Sequence, residues 1–338
     1  MIKESIATLV AGRSLSMEEA SLVMGEIMEG ETTPAQLSAF LTALRVKGET
    51  AQEIAGMAVI MREKSQRVTV NGITVDTAGT GGDGLGTFNI STAAAFVGAA
   101  SGIQMAKHGN RAASGACGSA DVLEALGVRI DLPPDGVTKC IEEVGIGFMF
   151  APIFHPAMRH AAPIRREIGF RTVFNTLGPL TNPAGSQAQV LGVSDPLLGE
   201  KMADVLNILG SSHSLVVHGE EGLDEITLGG ITHIWEVKNG NVTSYLVSPD
   251  EVGLPTVTVN EIQGGTPLEN AEILKRVLGG EAGPMRDVVL MNGAGVMVVG
   301  GKASDLKEGV TKATQAIDSG AALKKVDDLV NLSQRLGI

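Results

Sequence analysis

The sequence predicts an α/β protein that begins with a set of helices. Two observations lead to this prediction: capped helical patterns fill the first 65 or so residues, and beyond them short apolar runs alternate with helical stretches. A chain of 338 residues is also long enough for two domains. We therefore place a boundary near residue 70, between a helical domain over residues 1–70 and an α/β domain over residues 71–338.

The amino-terminal helices are marked by capping boxes, in which a Ser or Thr precedes a Glu or Gln by three residues. These boxes lie at Ser16–Glu19, Thr33–Gln36 and Thr50–Glu53. Pro34 suits the first position of a helix. The glycines that stand where helices should end are Gly12, Gly30 and Gly48. So few helices cannot close a core alone, and we expect their apolar faces to pack on a larger domain or a second subunit.

Strand signals begin at residues 67–76, where the pattern changes to alternation around an Asn71–Gly72 turn. Short apolar runs then follow, namely IQMA, GFMF, QVLGV and SLVVHG. Helical stretches lie between or after them, at Ser119–Leu126, Gly136–Val144, Leu197–Leu209 and Leu268–Leu278, with two more from Ala303 to Leu336. This alternation is typical of α/β proteins.

Composition limits the partners and the compartment. The net charge of −12 argues against a surface that coats nucleic acid. With only Cys117 and Cys140 present, no disulfide framework is expected, and a reducing cytoplasm follows. The first 15 residues lack the apolar core of a signal peptide, and the uncharged span Gly84–Ala106 contains too many polar residues and glycines for a membrane helix. We expect a soluble cytoplasmic protein.

A glycine-rich turn, GTGGDG at residues 79–84, stands between a strand-like and a helix-like segment. It matches the dinucleotide fingerprint, but that motif requires an acidic residue about 20 positions later, and residues 84–120 contain no Asp or Glu. The same window carries Lys107, His108 and Arg111. A turn with bare backbone N–H groups, followed by a helix, is suited to phosphate oxygens. The sequence therefore predicts an anion site here.

Three further segments are candidates for binding. The loop after Lys107 is rich in small residues, which let a ligand approach the backbone, although an ordinary strand-to-helix loop has the same composition. Residues 155–172 carry several arginines, which either form a solvated face or include one that binds a carboxylate in a bidentate manner. These are Arg159, Arg165, Arg166 and Arg171, and the pattern alone does not choose among them.

The third segment follows a buried-looking strand and places Asp224 beside Glu225. Adjacent carboxylates on such a loop suit Mg²⁺, which takes oxygen ligands and shares its shell with substrate phosphates, but they are also compatible with plain solvation. The histidines at 213, 218 and 233 have no compact ligand spacing, so zinc is not indicated.

Taken together, these segments resemble the anthranilate phosphoribosyltransferase family over nearly the whole chain. The resemblance rests on DTAGTGGDGLGTFNIST, KHGNRAASGACGSADVLEALG, HPAMRHAAPIRREIGFRTVFNTLGPLTNPA and GLDEIT. It implies a small helical domain, joined by part of residues 160–185, and a larger α/β domain with a mostly parallel central sheet. It further implies a homodimer formed through the helical domain and Mg²⁺-dependent use of phosphoribosyl pyrophosphate, with no nucleic-acid or membrane partner.

The resemblance also assigns roles to positions of this sequence. Anthranilate would contact Asn110 and Arg165, and metal would be held by Ser91, Asp224 and Glu225. The positions that would bind phosphoribosyl pyrophosphate or line the substrate site are Gly79, Gly82, Asp83, Thr87, Asn89, Ser91, Thr92, Lys107, His108 and Ser119. No residue is assigned as an acid or base. Two alternatives are a pyrimidine nucleoside phosphorylase and a nucleic-acid-binding relative on the same fold; the GTGGDG turn and the acidic pair favour neither.

Overall fold

The computed structural model describes residues 1–112 and 116–337, and four helices open the chain. They are α1 (Ile2–Val10), α2 (Met17–Glu29), α3 (Pro34–Lys47) and α4 (Ala51–Glu63). All three predicted capping boxes are present, because Ser16, Thr33 and Thr50 each accept a hydrogen bond from the backbone N–H three residues later. Gly30 and Gly48 follow directly at the ends of α2 and α3.

A central sheet follows the helices. Its strands are β1 (Thr74–Gly79), β2 (Gln104–Gly109), β3 (Ile146–Phe150), β4 (Ala188–Gly192), β5 (His213–Gly219), β6 (Thr232–Lys238) and β7 (Asn241–Val247). Over residues 1–112 and 116–337 they form one seven-stranded sheet in the order β3-β2-β1-β4-β5-β6-β7. Strands β1 to β5 pair in parallel, and β6 and β7 pair antiparallel at one edge. The predicted mostly parallel sheet is confirmed.

The remaining helices connect the strands or follow them. They are α5 (Ile90–Ala100), α6 (Ser119–Ala125), α7 (Pro134–Val144), α8 (Ala151–Phe154), α9 (Ala162–Ile168), α10 (Val173–Leu177), α11 (Gly199–Ile208), α12 (Pro267–Leu278), α13 (Pro284–Val299), α14 (Leu306–Asp318) and α15 (Ala321–Leu336). Short 3₁₀ turns lie at Pro156–His160, Gly178–Leu180, Pro196–Leu198, Pro249–Val252 and Val259–Ile262. In the described part of the chain, no helix has the length and apolar character needed to cross a membrane.

The two faces of the sheet lie in different hydrophobic clusters. Val190 and Leu215 belong to the cluster that contains α5 and α13, whereas their chain neighbours Leu191 and Val216 belong to the other. Side chains alternate between the faces of a strand, which explains this division. The second cluster also contains the apolar side chains of α1 to α4 and, from residues 160–185, Ala161, Ile164, Val173, Phe174, Leu177 and Leu180. The amino-terminal helices therefore bury their apolar faces as expected, while the domain division at residue 70 stays a prediction.

Candidate active site

The glycine turn lies at a topological switch point of the sheet. β2 pairs with one side of β1 and β4 with the other, so the chain winds outward in two directions from this strand. In α/β sheets such a point leaves a crevice at the carboxyl ends of the strands, where ligands bind. β1 ends at Gly79, which is in register with Gly192 at the end of β4. The predicted anion site therefore begins at this crevice.

The turn is tied at its far end to the segment before α12. Thr87 forms a bridge with Gln263, and the Gln263 side-chain amide donates to the Leu85 carbonyl at 2.8 Å. The Gly264 N–H donates to the Gly86 carbonyl at 2.9 Å. These bonds fix the carboxyl-terminal end of the turn, while the Thr80 N–H donates to the Gly192 carbonyl at 2.9 Å at its start.

At its near end the turn is held by Asp224, which lies on the loop after β5. The Asp224 Oδ2 atom accepts a hydrogen bond from the Gly81 N–H at 2.7 Å. This approach requires glycine on both strands: a Cβ on Gly79 would lie 2.3 Å from Asp224 Oδ2, and a Cβ on Gly192 would lie 1.6 Å from the Asp224 carbonyl oxygen. Bare strand ends therefore allow the acidic loop to reach the turn.

The two adjacent carboxylates lie in a corner with excess negative charge. Glu225 Oε1 accepts from the Ser91 N–H at 3.1 Å, at the start of α5. Burial and the neighbouring Asp83 raise the pKa of Asp224 to about 6, and burial with Asp224 raises the pKa of Glu225 to about 8. A divalent cation would offset the repulsion among these carboxylates, which is the second cause of both shifts after burial, and carboxylate oxygens are the ligands that Mg²⁺ prefers.

The carboxylates of Asp224 and Glu225 therefore fit Mg²⁺ as ligands, and Ser91 lies next to Glu225. No cluster of three or more His, Cys, Asp or Glu side chains in residues 1–112 and 116–337 is arranged to hold a metal alone. The remaining ligands would be waters and substrate oxygens, as is usual for this ion.

Lys107 is buried beneath the crevice with only 2% of its surface exposed. Its Nζ donates to the Thr77 carbonyl at 2.7 Å and lies 3.4 Å from the Ser91 hydroxyl. Burial lowers its pKa, whereas the carboxylates of Asp76 and Glu225 act in the opposite direction. Asp76 is itself fully buried and accepts from the Thr77 and His108 N–H groups. This pairing lets a cation stand beneath an anion site without being exposed to bulk water.

The start of α5 supplies the other predicted donor-site residues. Asn89 precedes the helix; its Oδ1 accepts from Asn270 at 2.9 Å and its Nδ2 donates to the Cys117 carbonyl at 3.1 Å. The Thr92 hydroxyl is buried and has no partner among the described residues. Burial raises the pKa of the Cys117 thiol to about 11, so it stays a thiol at neutral pH. This agrees with its interpretation as a packing residue.

The loop after β2 is closed by Asp121 on α6. Its Oδ2 accepts from the N–H groups of Ala112 and Gly118, each at 2.9 Å, and Arg111 donates to its Oδ1. The Ser119 hydroxyl lies 3.4 Å from the carbonyl of the exposed Asn110. The small-residue segment quoted above includes residues 113–115, which lie outside the described residues.

A cavity of about 510 Å³ opens beside the turn, between the helical part and the sheet. Its wall includes Gly79, His108, Asn110, Met158 and Arg165, together with Ala151, Pro152, His155, Arg159, Phe174, Asn175, Gly178 and Pro179. The Arg165 guanidinium stands over the Phe174 ring, 5.1 Å from its centroid, a cation–π contact that helps to hold it in place. The cavity is mostly apolar, and Arg159 and Arg165 add cations to its wall, which suits a flat molecule that carries a carboxylate.

Two neutral histidines stand at the inner end of this cavity. Their ring centroids are 5.0 Å apart, and burial lowers the pKa of His108 to about 3 and that of His155 to about 4. Their Nε2 atoms are buried and have no hydrogen-bond partner in the described part of the chain. Sequence reasoning singled out His108 but not His155, Met158 or Asn175, although their segment was used for its arginines and for the family resemblance.

The four arginines of that segment occupy different places. Arg165 and Arg159 line the cavity, Arg166 is exposed outside its wall, and Arg171 reaches the glycine turn. Of the predicted residues, Gly79, His108, Asn110 and Arg165 meet at the cavity. The rest lie along the turn, at the start of α5 and on the acidic loop, except Lys107 on β2 and Ser119 at the start of α6.

Comparison with known proteins agrees with this arrangement. A family model described as "Glycosyl transferase family, helical bundle domain" matches residues 3–65, and one described as "Glycosyl transferase family, a/b domain" matches residues 71–323. Anthranilate phosphoribosyltransferase of Dehalococcoides mccartyi is 55% identical over 338 residues, 99% of each chain. That of Chloroflexus aurantiacus is 56% identical over 335 residues, 98% of this chain and 99% of the relative.

Solved structures show the same likeness. The anthranilate phosphoribosyltransferase of Thermus thermophilus superimposes with a TM-score of 0.93 at 47% identity, covering 98% of this chain and 99% of that one. The Saccharomyces cerevisiae enzyme, solved in complex with phosphoribosyl pyrophosphate and Mg, gives 0.90 at 30% identity, covering 99% and 98%. The chain therefore belongs to the anthranilate phosphoribosyltransferase family.

Proposed function

We propose that this chain transfers the phosphoribosyl group of phosphoribosyl pyrophosphate to the amine of anthranilate. The products are N-(5-phosphoribosyl)anthranilate and pyrophosphate, and the pathway is tryptophan biosynthesis. The observation that carries the proposal is that Gly79 belongs both to the glycine turn and to the wall of the cavity. A site for an anion and a site for a flat carboxylate thus share an edge, as two substrates that react with each other require.

The donor site uses the turn and the elements that meet it. Backbone N–H groups of a glycine turn and the amino end of a helix favour phosphate oxygens, and Lys107 adds a cation from below. The residues that we assign to phosphoribosyl pyrophosphate are Gly79, Gly82, Asp83, Thr87, Asn89, Ser91, Thr92, Lys107 and Ser119. The small size of most of them supports this assignment, because it allows a ligand to approach the backbone closely.

Ser91, Asp224 and Glu225 would hold Mg²⁺. When bound, this ion would neutralise part of the charge on the pyrophosphate group. The proximity of the two carboxylates supports the assignment: burial is the main cause of their raised pKa values, and repulsion from neighbouring carboxylates, which a cation would offset, is the second.

The acceptor site is the cavity, in which Arg165 and Asn110 would contact the carboxylate of anthranilate and His108 would line the wall. The contact with the Phe174 ring holds the guanidinium, so that two of its N–H groups can donate to the two carboxylate oxygens. The carboxylate of anthranilate is ortho to its amine, and fixing the first therefore aims the second at the ribose.

Leaving-group stabilisation and orientation account for the chemistry. Displacement at C1 of the ribose places positive charge on the sugar and negative charge on the departing pyrophosphate, which the turn amides and Lys107 stabilise. An aromatic amine is unprotonated near neutral pH and attacks without a base, and we assign none. Most of the rate enhancement would come from holding the two substrates in line.

We also infer a homodimer through the helical domain. An apolar groove of about 540 Å³ runs between α1 and α3, and Val10 and Val46 at its edge are 74% and 83% exposed. A second copy of the chain would cover these side chains, because exposed apolar patches mark interaction sites.

Val46→Glu should shift the protein from dimer to monomer in analytical ultracentrifugation. The matched control Leu268→Glu, on the 69% exposed Leu268 of α12, should leave the dimer intact. A dimer that survives Val46→Glu would place the interface elsewhere.

The activity is tested by the loss of anthranilate fluorescence in the presence of phosphoribosyl pyrophosphate and Mg²⁺. Nucleoside phosphorolysis and a DNA-binding titration are run beside it to test the two alternatives. Phosphorolysis without loss of anthranilate would refute the proposal.

The free cysteines Cys117 and Cys140 support a reducing compartment, and we infer the cytoplasm.

A further inference from the structure

The function proposed above gives no role to Arg171, which links the two substrate sites physically. It lies in the short connection between α9, which carries Arg165, and α10, which carries Phe174 and Asn175 of the cavity wall. Its Nη2 donates to the carbonyl of Thr80 in the glycine turn at 2.8 Å. One side chain therefore joins the segment of the acceptor cavity to the turn of the donor site.

The other terminal nitrogen of this guanidinium, Nη1, lies against the turn at Gly82. A Cβ built on Gly82 would lie 1.9 Å from Arg171 Nη1 and 2.9 Å from its Cζ. Gly82 also has a φ of +82°, a backbone region that favours glycine. The turn is thus shaped around the flat end of Arg171, which spans residues 80–82.

The charge of Arg171 is not engaged elsewhere in the part of the chain that the structure describes. Within residues 1–112 and 116–337 it forms no ion pair with Asp or Glu, unlike Arg111, which pairs with Asp121 and Glu124. A cation held by a carbonyl and stacked against a glycine keeps its charge beside the anion site.

The connection that carries Arg171 is anchored on both sides. α9 ends at Gly169 in a left-handed conformation, and the Thr172 N–H donates to the Asn175 side chain at 3.0 Å at the start of α10. Movement of the turn is therefore transmitted to a short, capped segment and not absorbed by a long loop.

We infer that Arg171 is a positioning residue that fixes the Thr80–Gly82 backbone for the pyrophosphate group and couples this turn to the acceptor cavity. This inference rests on the proposed function. It requires the planar, two-nitrogen form of arginine, since one nitrogen bonds Thr80 and the other lies against Gly82. It predicts that occupation of the donor site alters the affinity of the acceptor site.

The test uses full-length Arg171→Ala and Arg171→Lys, with Arg166→Ala and Arg166→Lys as matched controls. Arg166 is exposed, lies on α9 and forms no hydrogen bond with the turn among the described residues. Because Arg171 is also exposed, its variants should fold, and thermal unfolding checks this. Both Arg171 variants should raise KM for phosphoribosyl pyrophosphate and lower kcat/KM about tenfold or more, the usual size of a charged hydrogen bond.

A binding experiment tests the coupling. Calorimetry measures the affinity for anthranilate with and without inorganic pyrophosphate and Mg²⁺. In the wild type, pyrophosphate should change this affinity about threefold or more, and the change should vanish in Arg171→Ala and persist in Arg166→Ala.

Three results would overturn the inference: Arg171→Ala with the wild-type KM for phosphoribosyl pyrophosphate, full recovery of activity in Arg171→Lys, or an anthranilate affinity that pyrophosphate leaves unchanged in the wild type. Failure of the proposed function is distinct from these results, because the wild type would then not consume anthranilate at all.

Discussion

At the scale of single residues, Gly82 and Gly84 separate two reasons for glycine in the turn. Both have positive φ, +82° and +71°, but a Cβ on Gly82 would meet Arg171 whereas one on Gly84 would meet nothing within 4 Å. Alanine at either position should cost about 1–2 kcal/mol of stability from the backbone alone. Gly82→Ala should in addition raise KM for phosphoribosyl pyrophosphate well beyond Gly84→Ala. Equal KM values in the two variants would show that only the backbone conformation matters.

The role of Arg165 in binding anthranilate can be tested with its chain neighbour Arg166 as the matched control. Arg165→Ala should weaken anthranilate use by roughly 2–4 kcal/mol, because it removes a bidentate cation from a largely desolvated cavity. Phosphoribosyl pyrophosphate should bind nearly as before, and Arg165→Lys should also be impaired, since an ammonium cannot reproduce the planar fork. Arg166→Ala should be mild, because that side chain is exposed outside the wall. The measurement is KM for each substrate at fixed Mg²⁺; a larger anthranilate defect in Arg166→Ala would contradict the assignment.

Residue patterns alone left these arginines equivalent, and it was the family resemblance that selected Arg165. The contact of Arg171 with Thr80 spans 91 residues of sequence, and no local pattern encodes it. His155 is similar, since its depressed pKa arises from burial against the sheet and not from its neighbours in the chain. By contrast, the sequence was sufficient for the turn, because glycine content, missing acids and the following helix are all local.

At the scale of elements, the loop after β5 reaches the glycine turn only because β1 and β4 both end in glycine. The Asp224 side chain fits against Gly79, its backbone carbonyl fits against Gly192, and Glu225 reaches the start of α5. Asp224→Asn with Glu225→Gln should remove most Mg²⁺-dependent turnover while the fold persists, because amides keep the shape but lose the charge. Glu220→Gln, an exposed carboxylate of the same loop, is the control and should retain activity. Wild-type activity with unchanged Mg²⁺ dependence in the double variant would refute the metal assignment.

At the scale of the whole molecule, local signals predicted most elements because each has its own cap or apolar run. The three capping boxes and the four parallel strand runs are examples. Strands β6 and β7 and helices α10 and α13 are not among the predicted elements. The β6–β7 hairpin had a signal in the Asn239–Gly240 turn, where both residues have positive φ. Helix α13 had none, because it is buried on nearly all sides and so shows no amphipathic period.

The fold also places two uncharged histidines where the helical part meets the sheet, and this should make stability depend on pH. His155 has a pKa of about 4 in the folded protein, chiefly through burial, against an ordinary value of 6.5. Charged groups around it are Arg159 and Arg165 of the cavity wall, and His108 stands 5.0 Å away. Between pH 6.5 and 4 the unfolded chain therefore binds a proton at this position that the folded chain does not.

Stability contributed by neutral His155 is accordingly complete above pH 6.5 and falls as the pH is lowered, by roughly 1.4 kcal/mol for each pH unit in this window. The variant His155→Gln cannot take up the proton in either state. Any constant cost of the substitution cancels when the difference in unfolding free energy between wild type and variant is compared at two pH values. From pH 7.5 to pH 5 this difference should move by about 2 kcal/mol in favour of the variant, measured by urea unfolding. A difference that stays constant, or moves toward the wild type, would mean that His155 is charged or solvated in the folded enzyme.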